Sequence, residues 1–123
     1  MDKQKFTFTS TLFSATAILA AASSTSDAID ISQVEGFFSL QIAVTGDGTA
    51  KFEYLASNDG TTYVTQTAAG DVIASSFTKT SGPGSDGKDI VTFEPELCKF
   101  IKIKCSETGG AQAIAVTATI AIQ

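Results

Sequence analysis

The 123-residue sequence predicts an all-β fold: an antiparallel β-sandwich, jelly-roll-like, with about eight or nine strands and an N-terminal arm. Three observations carry this. Apolar residues alternate with polar ones in short runs, which is the period of a half-buried strand. Clusters of Gly, Asp, Asn and Ser separate the runs about every 8–12 residues. The length is that of one domain, large enough for a two-layer core without disulfide staples, and no linker or repeat divides it.

Residues 1–26 read as an N-terminal arm with a first strand, and residues 27–123 as the sandwich domain. Phe6 and Phe8 alternate with Thr7 and Thr9, so the arm has strand character and either joins its own sheet or reaches a neighbouring subunit. Phe6, Phe8, Leu12 and Phe13 are its candidate interface residues. Lys3 and Lys5 followed by Leu12–Ala22 mimic a secretory signal, but Thr and Ser interrupt the apolar run, so no cleaved signal is expected. No run approaches the ~20 apolar residues of a membrane helix. Ala-rich composition permits a helix over 11–22, yet without a 3.6-residue stripe a strand near Thr16–Ala20 is favoured.

Ser23–Ser26 reads as a polar turn, and Asp27–Ser32 as a strand with Ile29 and Ile31 inward. Phe38, Leu40, Ile42 and Val44 share one face of the next run; Phe52, Tyr54 and Ala56 share one face of the run after it. The intervening Gly46-Asp47-Gly48-Thr49 predicts an antiparallel hairpin. A second turn at Ser57-Asn58-Asp59-Gly60 predicts a return strand over Thr62–Thr67. Val72–Thr78 is a short strand, and Thr80–Lys88, with Gly82-Pro83-Gly84 at its centre, is a long loop expected to be mobile. Asp89–Glu94 is a strand broken by Pro95. Phe100–Cys105 buries Ile101, Ile103 and Cys105, and the last strand, Ala113–Gln123, sets Ile114, Val116, Ile120 and Ile122 on one face.

The chemistry is sparse. A net charge of −5, with eight Lys and no Arg, lacks the basic footprint and bidentate forks of a nucleic-acid binder. The absence of His removes the commonest general base and metal ligand. Cys98 and Cys105 stand roughly 20 Å apart if one strand joins them, beyond the ~7 Å reach of a disulfide. Both read as free thiols, consistent with assembly in a reducing cytoplasm. Glu94 and Glu96 flank Pro95 about 7 Å apart, within the ~6.5–9.5 Å window of an inverting glycosidase, but carboxylates beside a strand-ending proline are ordinarily solvated. Asp47, Asp59, Asp86 and Asp89 are oxygen ligands of the kind calcium takes, without EF-hand spacing; turn chemistry explains them equally well. Gly82–Lys88 lacks the ending of a phosphate loop and leads into a strand. No cofactor, metal or catalytic residue is expected. Asn58, Asp59 and Tyr63 form a candidate ligand loop in which Tyr63 either stacks on a sugar or is a half-buried rim residue.

Ser57-Asn58-Asp59-Gly60-Thr61-Thr62-Tyr63, followed by Phe93-Glu94-Pro95 and Phe100–Lys104, resembles the galactose-binding-like jelly rolls, including discoidin-type modules. The wider succession SSTSDAIDIS, FFSLQIAVTGDGTAKFEYLASNDGTTYV, FTKTSGPGSDGKDI and AVTATIAI resembles small structural proteins of tailed bacteriophages. The second resemblance implies a non-enzymatic virion component made in the host cytoplasm. Its role would be capsid decoration or a head–tail accessory subunit, its partners other virion proteins of capsid, neck or tail, with homo-oligomerisation expected. The first resemblance implies the alternative of a carbohydrate-binding module with a glycan partner. Neither nucleic acid nor membrane is an expected partner.

Overall fold

The computed structural model describes residues 8–34, 36–65, 71–95 and 97–123. The apolar alternation becomes nine strands: β1 (Phe8–Ile18), β2 (Ser23–Thr25), β3 (Ile29–Asp30), β4 (Phe38–Gly46), β5 (Ala50–Ser57), β6 (Asp71–Phe77), β7 (Lys88–Phe93), β8 (Phe100–Glu107) and β9 (Ile114–Ile122). One antiparallel sheet has the order β1-β9-β4-β7, the other β2-β8-β5-β6 with β3 also on β8. With β2 and β3 as two halves of one strand, this is the eight-position winding of a jelly roll. The inward rows of β4, β5, β8 and β9 meet between the sheets, where Leu40, Phe52, Ile101, Ile103, Val116 and Ile120 have no exposed surface.

The turn at Gly46–Thr49 does not close a hairpin. β4 belongs to the four-stranded sheet and β5 to the other, so the connection arches across the sandwich. A hairpin and an arch demand the same alternation, because either way both strands turn an apolar face to one core. The arch is tight. Gly46 has φ of 91°, and a Cβ on Gly48 would stand 2.4 Å from the Gln112 carbonyl oxygen and 2.8 Å from Ile114 Cγ2.

Other departures have equally local causes. β1 is longer than the strand expected at Thr16–Ala20 and runs beside β9 from Phe8↔Ile122 to Ile18↔Ile114. A register shift between Thr11 and Phe13 inserts Leu12, which moves Phe13 from the outward to the inward phase. At a second shift Ala15 has φ of 46°, and Thr117 Oγ1 accepts its N–H at 3.0 Å. Ser23–Ser26 is a strand end instead of a turn: β2 pairs with β8 through Ser23↔Ser106 and Thr25↔Lys104. Ser26 then bridges the gap to β3, since its N–H donates to the Ile103 carbonyl and its hydroxyl accepts the Ile103 N–H. Of the return strand expected at Thr62–Thr67, the described residues hold one bridge, Ala56↔Val64, and β5 pairs instead with β6. The Thr80–Lys88 loop folds back on β4, where Val44 N–H donates to the Gly87 carbonyl.

Gly48→Ala tests the arch. The added methyl meets the Gln112 carbonyl oxygen and the Ile114 and Glu107 side chains, so the midpoint of urea unfolding should fall, with a loss of about 1–3 kcal/mol; an unchanged midpoint would contradict this packing.

Candidate functional site

The most concentrated polar arrangement is one the sequence reading did not single out. The Glu107 side chain is 3 % exposed at the end of β8. Its Oε1 accepts the N–H groups of Ala21 (2.9 Å) and Gly110 (2.7 Å), and its Oε2 those of Thr49 (2.9 Å) and Gly109 (2.7 Å). The donors come from three connections between sheets: β1 to β2, β4 to β5, and β8 to β9. Hydrogen bonds from Ala21, Thr49 and Gly110 hold the carboxyl at a pKa of about 2, against the opposing effect of desolvation. All four contacts are protein amides, which makes Glu107 a clamp on the fold. Its signal was in the strand period: Ile101, Ile103, Cys105 and Glu107 share the inward phase of β8.

The acidic turn residues are likewise engaged locally. Asp59 Oδ1 takes the Thr61 and Thr62 amides, each at 2.8 Å, and the Ser57 hydroxyl at 2.9 Å; the Thr62 bond leads in holding its carboxyl below the usual range. Asp47 is ion-paired with Lys79, whose hydrogen bond lowers its pKa. Asp86 accepts the Lys88 N–H and Asp89 the Ile90 N–H. Among the described residues no three His, Cys, Asp or Glu side chains gather as a metal site. Glu94 is exposed, and Glu96 lies outside the described residues. Both cysteines are free; burial pushes the Cys105 thiol up to about 12, and Cys98 upward too.

Within the candidate ligand loop, Asn58 and Asp59 line a hollow of about 290 Å³ together with Thr62, Val64 and Leu97. Tyr63 is not part of that lining. It lies against β8, with the Lys102 ammonium 4.3 Å from its ring centroid. Of the candidate interface residues, Phe13 is buried at 3 % exposure, because the Leu12 insertion turns it inward, and Leu12 packs against the same core. Phe8 keeps 57 % exposure opposite Ile122, and Phe6 lies outside the described residues.

The two outer surfaces of the sandwich differ in charge. On the β5–β8 side the outward residues include Lys51, Glu53, Lys102 and Lys104, with Lys104 Nζ 3.9 Å from Glu53. On the four-stranded sheet the outward rows are Thr9-Ala121-Ser39-Thr92, then Thr11-Thr119-Gln41-Ile90, then Thr117-Ala43-Lys88, then Ala17-Ala115-Thr45. Lys88 is the one charge in these rows. Across their middle runs a groove of about 480 Å³, floored by Gln41, Ala43, Thr117 and Thr119 and walled by Ile90, Pro83 and Gly84 with the charged Asp86, Lys88 and Asp89. Ile90 is 62 % exposed and Phe37 56 %.

Comparison with known proteins bears on the fold alone. No family model and no curated protein sequence matches the chain. Solved structures do. A chain from infectious bursal disease virus, Gx strain, superposes with a TM-score of 0.55 at 12 % identity, covering 95 % of this chain and 31 % of its own. The VP2 subviral particle of the same virus gives 0.55 at 12 %, covering 95 % and 32 %. The periplasmic g-type lysozyme inhibitor PliG of Aeromonas hydrophila gives 0.51 at 10 %, covering 95 % and 86 %. This chain thus spans about a third of the viral chains it matches.

The Glu107 clamp predicts an acid dependence with a definite sign. Its pKa is lower folded than unfolded, so its contribution is complete above pH 4.5 and is lost as pH falls toward about 2. Glu107→Gln should lower the thermal midpoint at neutral pH and flatten the midpoint-versus-pH curve across that window, read by circular dichroism.

Proposed function

We propose that this chain is a non-enzymatic structural protein of a virus particle, namely a capsid decoration or head–tail accessory subunit of a tailed bacteriophage that works through protein–protein contacts. The observation that carries this reading is the outer surface of the β1-β9-β4-β7 sheet, whose paired rows carry Lys88 as their one charge and which exposes Phe37 and Ile90 on a protein of net charge −5. Solvated faces carry charge, as the opposite sheet does; neutral faces with protruding apolar side chains are suited to burial against another protein. The jelly-roll fold, also present in structures of infectious bursal disease virus, is in keeping with a place in a particle. A carbohydrate-binding role has less support, because Tyr63 is covered on one ring face by Lys102 and stands apart from the hollow beside Asn58 and Asp59.

The test is occupancy. Mass spectrometry and imaging of purified particles from infected cells should find the chain in many copies at one repeating position on head, neck or tail. Particles that lack it, while the infected cytoplasm contains it, would rule the assignment out.

A further inference from the structure

We infer that Asp89 closes the free edge of β7 against pairing with the same strand of a second copy. Its carboxylate holds the backbone N–H of Ile90 that the second strand would otherwise take. The inference stands apart from the structural-protein reading, since it concerns an edge of the sheet and not its outer surface.

The hydrogen-bond parity of the sheet identifies the edge. Phe37 and Gln123 exchange backbone hydrogen bonds of 3.2 and 2.9 Å, so the odd-numbered residues of β4 serve β9. Val44 N–H donates to the Gly87 carbonyl at 2.8 Å, so the even-numbered ones serve β7. On β7 the backbone groups of Asp89, Val91 and Phe93 therefore meet β4, and those of Lys88, Ile90 and Thr92 point away from it. At Lys88 the outward groups are covered. Asp86 Oδ1 accepts the N–H at 3.2 Å, and a Cβ on Gly82 would stand 2.2 Å from the carbonyl oxygen. At Ile90, Asp89 Oδ1 accepts the N–H at 2.7 Å. Among the described residues, the Thr92 N–H next along this edge meets no side-chain acceptor.

The placement of Asp89 is unusual for its strand. Its register partner is Ile42, which is buried at 2 % exposure, so Asp89 shares the inward phase of β7 with Val91 and Phe93. A carboxylate is costly in an apolar interior; at the border of the sheet it turns to the adjacent outward amide. An inward-phase charge on an edge strand opposes strand addition, because a strand laid beside it covers the charge and displaces its hydrogen bond. The other edges are interrupted by different means. β1 and β6 each carry two register shifts, and β2 and β3 are three and two residues long. β7 pairs with β4 through six successive residues without a shift, contains no proline and bears the exposed Ile90. A second copy fits this edge because the edge is self-complementary. About a twofold axis through Val91, Ile90 of each copy faces Thr92 of the other and Asp89 faces Phe93, with no like charges opposed.

Hydrogen exchange of the unmodified full chain reads the closed edge directly: the Ile90 amide should exchange at least ~10-fold more slowly than the Thr92 amide. Asp89→Ala then removes the carboxylate from its half-buried position. Sedimentation equilibrium over ~10 μM to ~1 mM, the range suited to an interface below ~1,200 Å², follows the mass from 12.7 kDa toward twice that value. Asp89→Ala should associate at concentrations at least ~10-fold lower than the unmodified chain. Adding Ile90→Pro removes the outward N–H while sparing the ladder with β4, and should cancel that gain. Equal exchange at Ile90 and Thr92, association unchanged by Asp89→Ala, or a gain that survives Ile90→Pro would overturn the proposal. If Asp89→Ala does not fold, the exchange measurement decides alone. Absence from a virus particle would leave these results untouched, and an open edge would leave particle occupancy untouched, so the two readings fail separately.

Discussion

Four backbone N–H groups converge on the two oxygens of Glu107, and the ends of three sheet-to-sheet connections depend on that convergence. A buried carboxylate is expensive unless its lone pairs are met by donors. Here each oxygen receives two, and charge-assisted bonds to amides are among the stronger ones a protein makes. The arrangement also answers a problem of the amides themselves. Ala21, Thr49, Gly109 and Gly110 lie where strands have left their ladders, so their donors lack sheet partners. Further bonds accompany the clamp, from Thr108 N–H to the Thr49 carbonyl and from Glu107 N–H to the Ala22 carbonyl. One end of the sandwich is thus held by a single ionised group acting across both sheets.

The same device recurs in neutral form where β-structure is interrupted. Ser26 accepts the Ile103 amide at the break between β2 and β3, and Thr117 accepts the Ala15 amide at a bulge in β1. At each place a side-chain oxygen stands in for a carbonyl that the neighbouring strand fails to supply. Small hydroxyl residues in this sequence therefore do more than solvate an outer surface. They allow β1 and the β2–β3 pair to keep register with partners of different local geometry. The jelly roll needs this, because most of its sequential strands sit in opposite sheets and have no hairpin to fix their alignment.

What the sequence reveals and what it hides follow from the same period. Alternation identifies the inward residues of β4, β5, β8 and β9 correctly, since burial of one face in two is a local property of each run. It does not say which sheet a strand joins, and Gly46–Thr49 reads identically as hairpin or arch. Glu107 went unnoticed because Ser-Glu-Thr-Gly-Gly has loop composition; extending the inward phase of β8 by one more step would have placed it in the interior. Phe13 defeated the pattern for a different reason, since one inserted residue reverses the facing of everything beyond it. Tyr63 was legible as a half-buried rim residue, but its neighbour Lys102 comes from a strand almost forty positions away.

Sheet membership is also what makes the charge asymmetry visible. Outward residues of every strand can be read from sequence, yet the contrast between the Thr, Ser and Ala rows and the lysine rows exists only once β4 is grouped with β9 and β5 with β8. The β8 face keeps its lysines in water, balanced in part by Glu53, and Lys102 spends its charge on the Tyr63 ring. The β4–β9 face meets water instead through the hydroxyls of Ser39, Thr117 and Thr119 and the amide of Gln41. Its neutrality is not a demand of the fold, because outward positions of a sandwich tolerate Lys and Glu freely, as β5 and β8 demonstrate. The Thr, Ser and Ala rows therefore reflect a restraint that the sandwich itself does not impose.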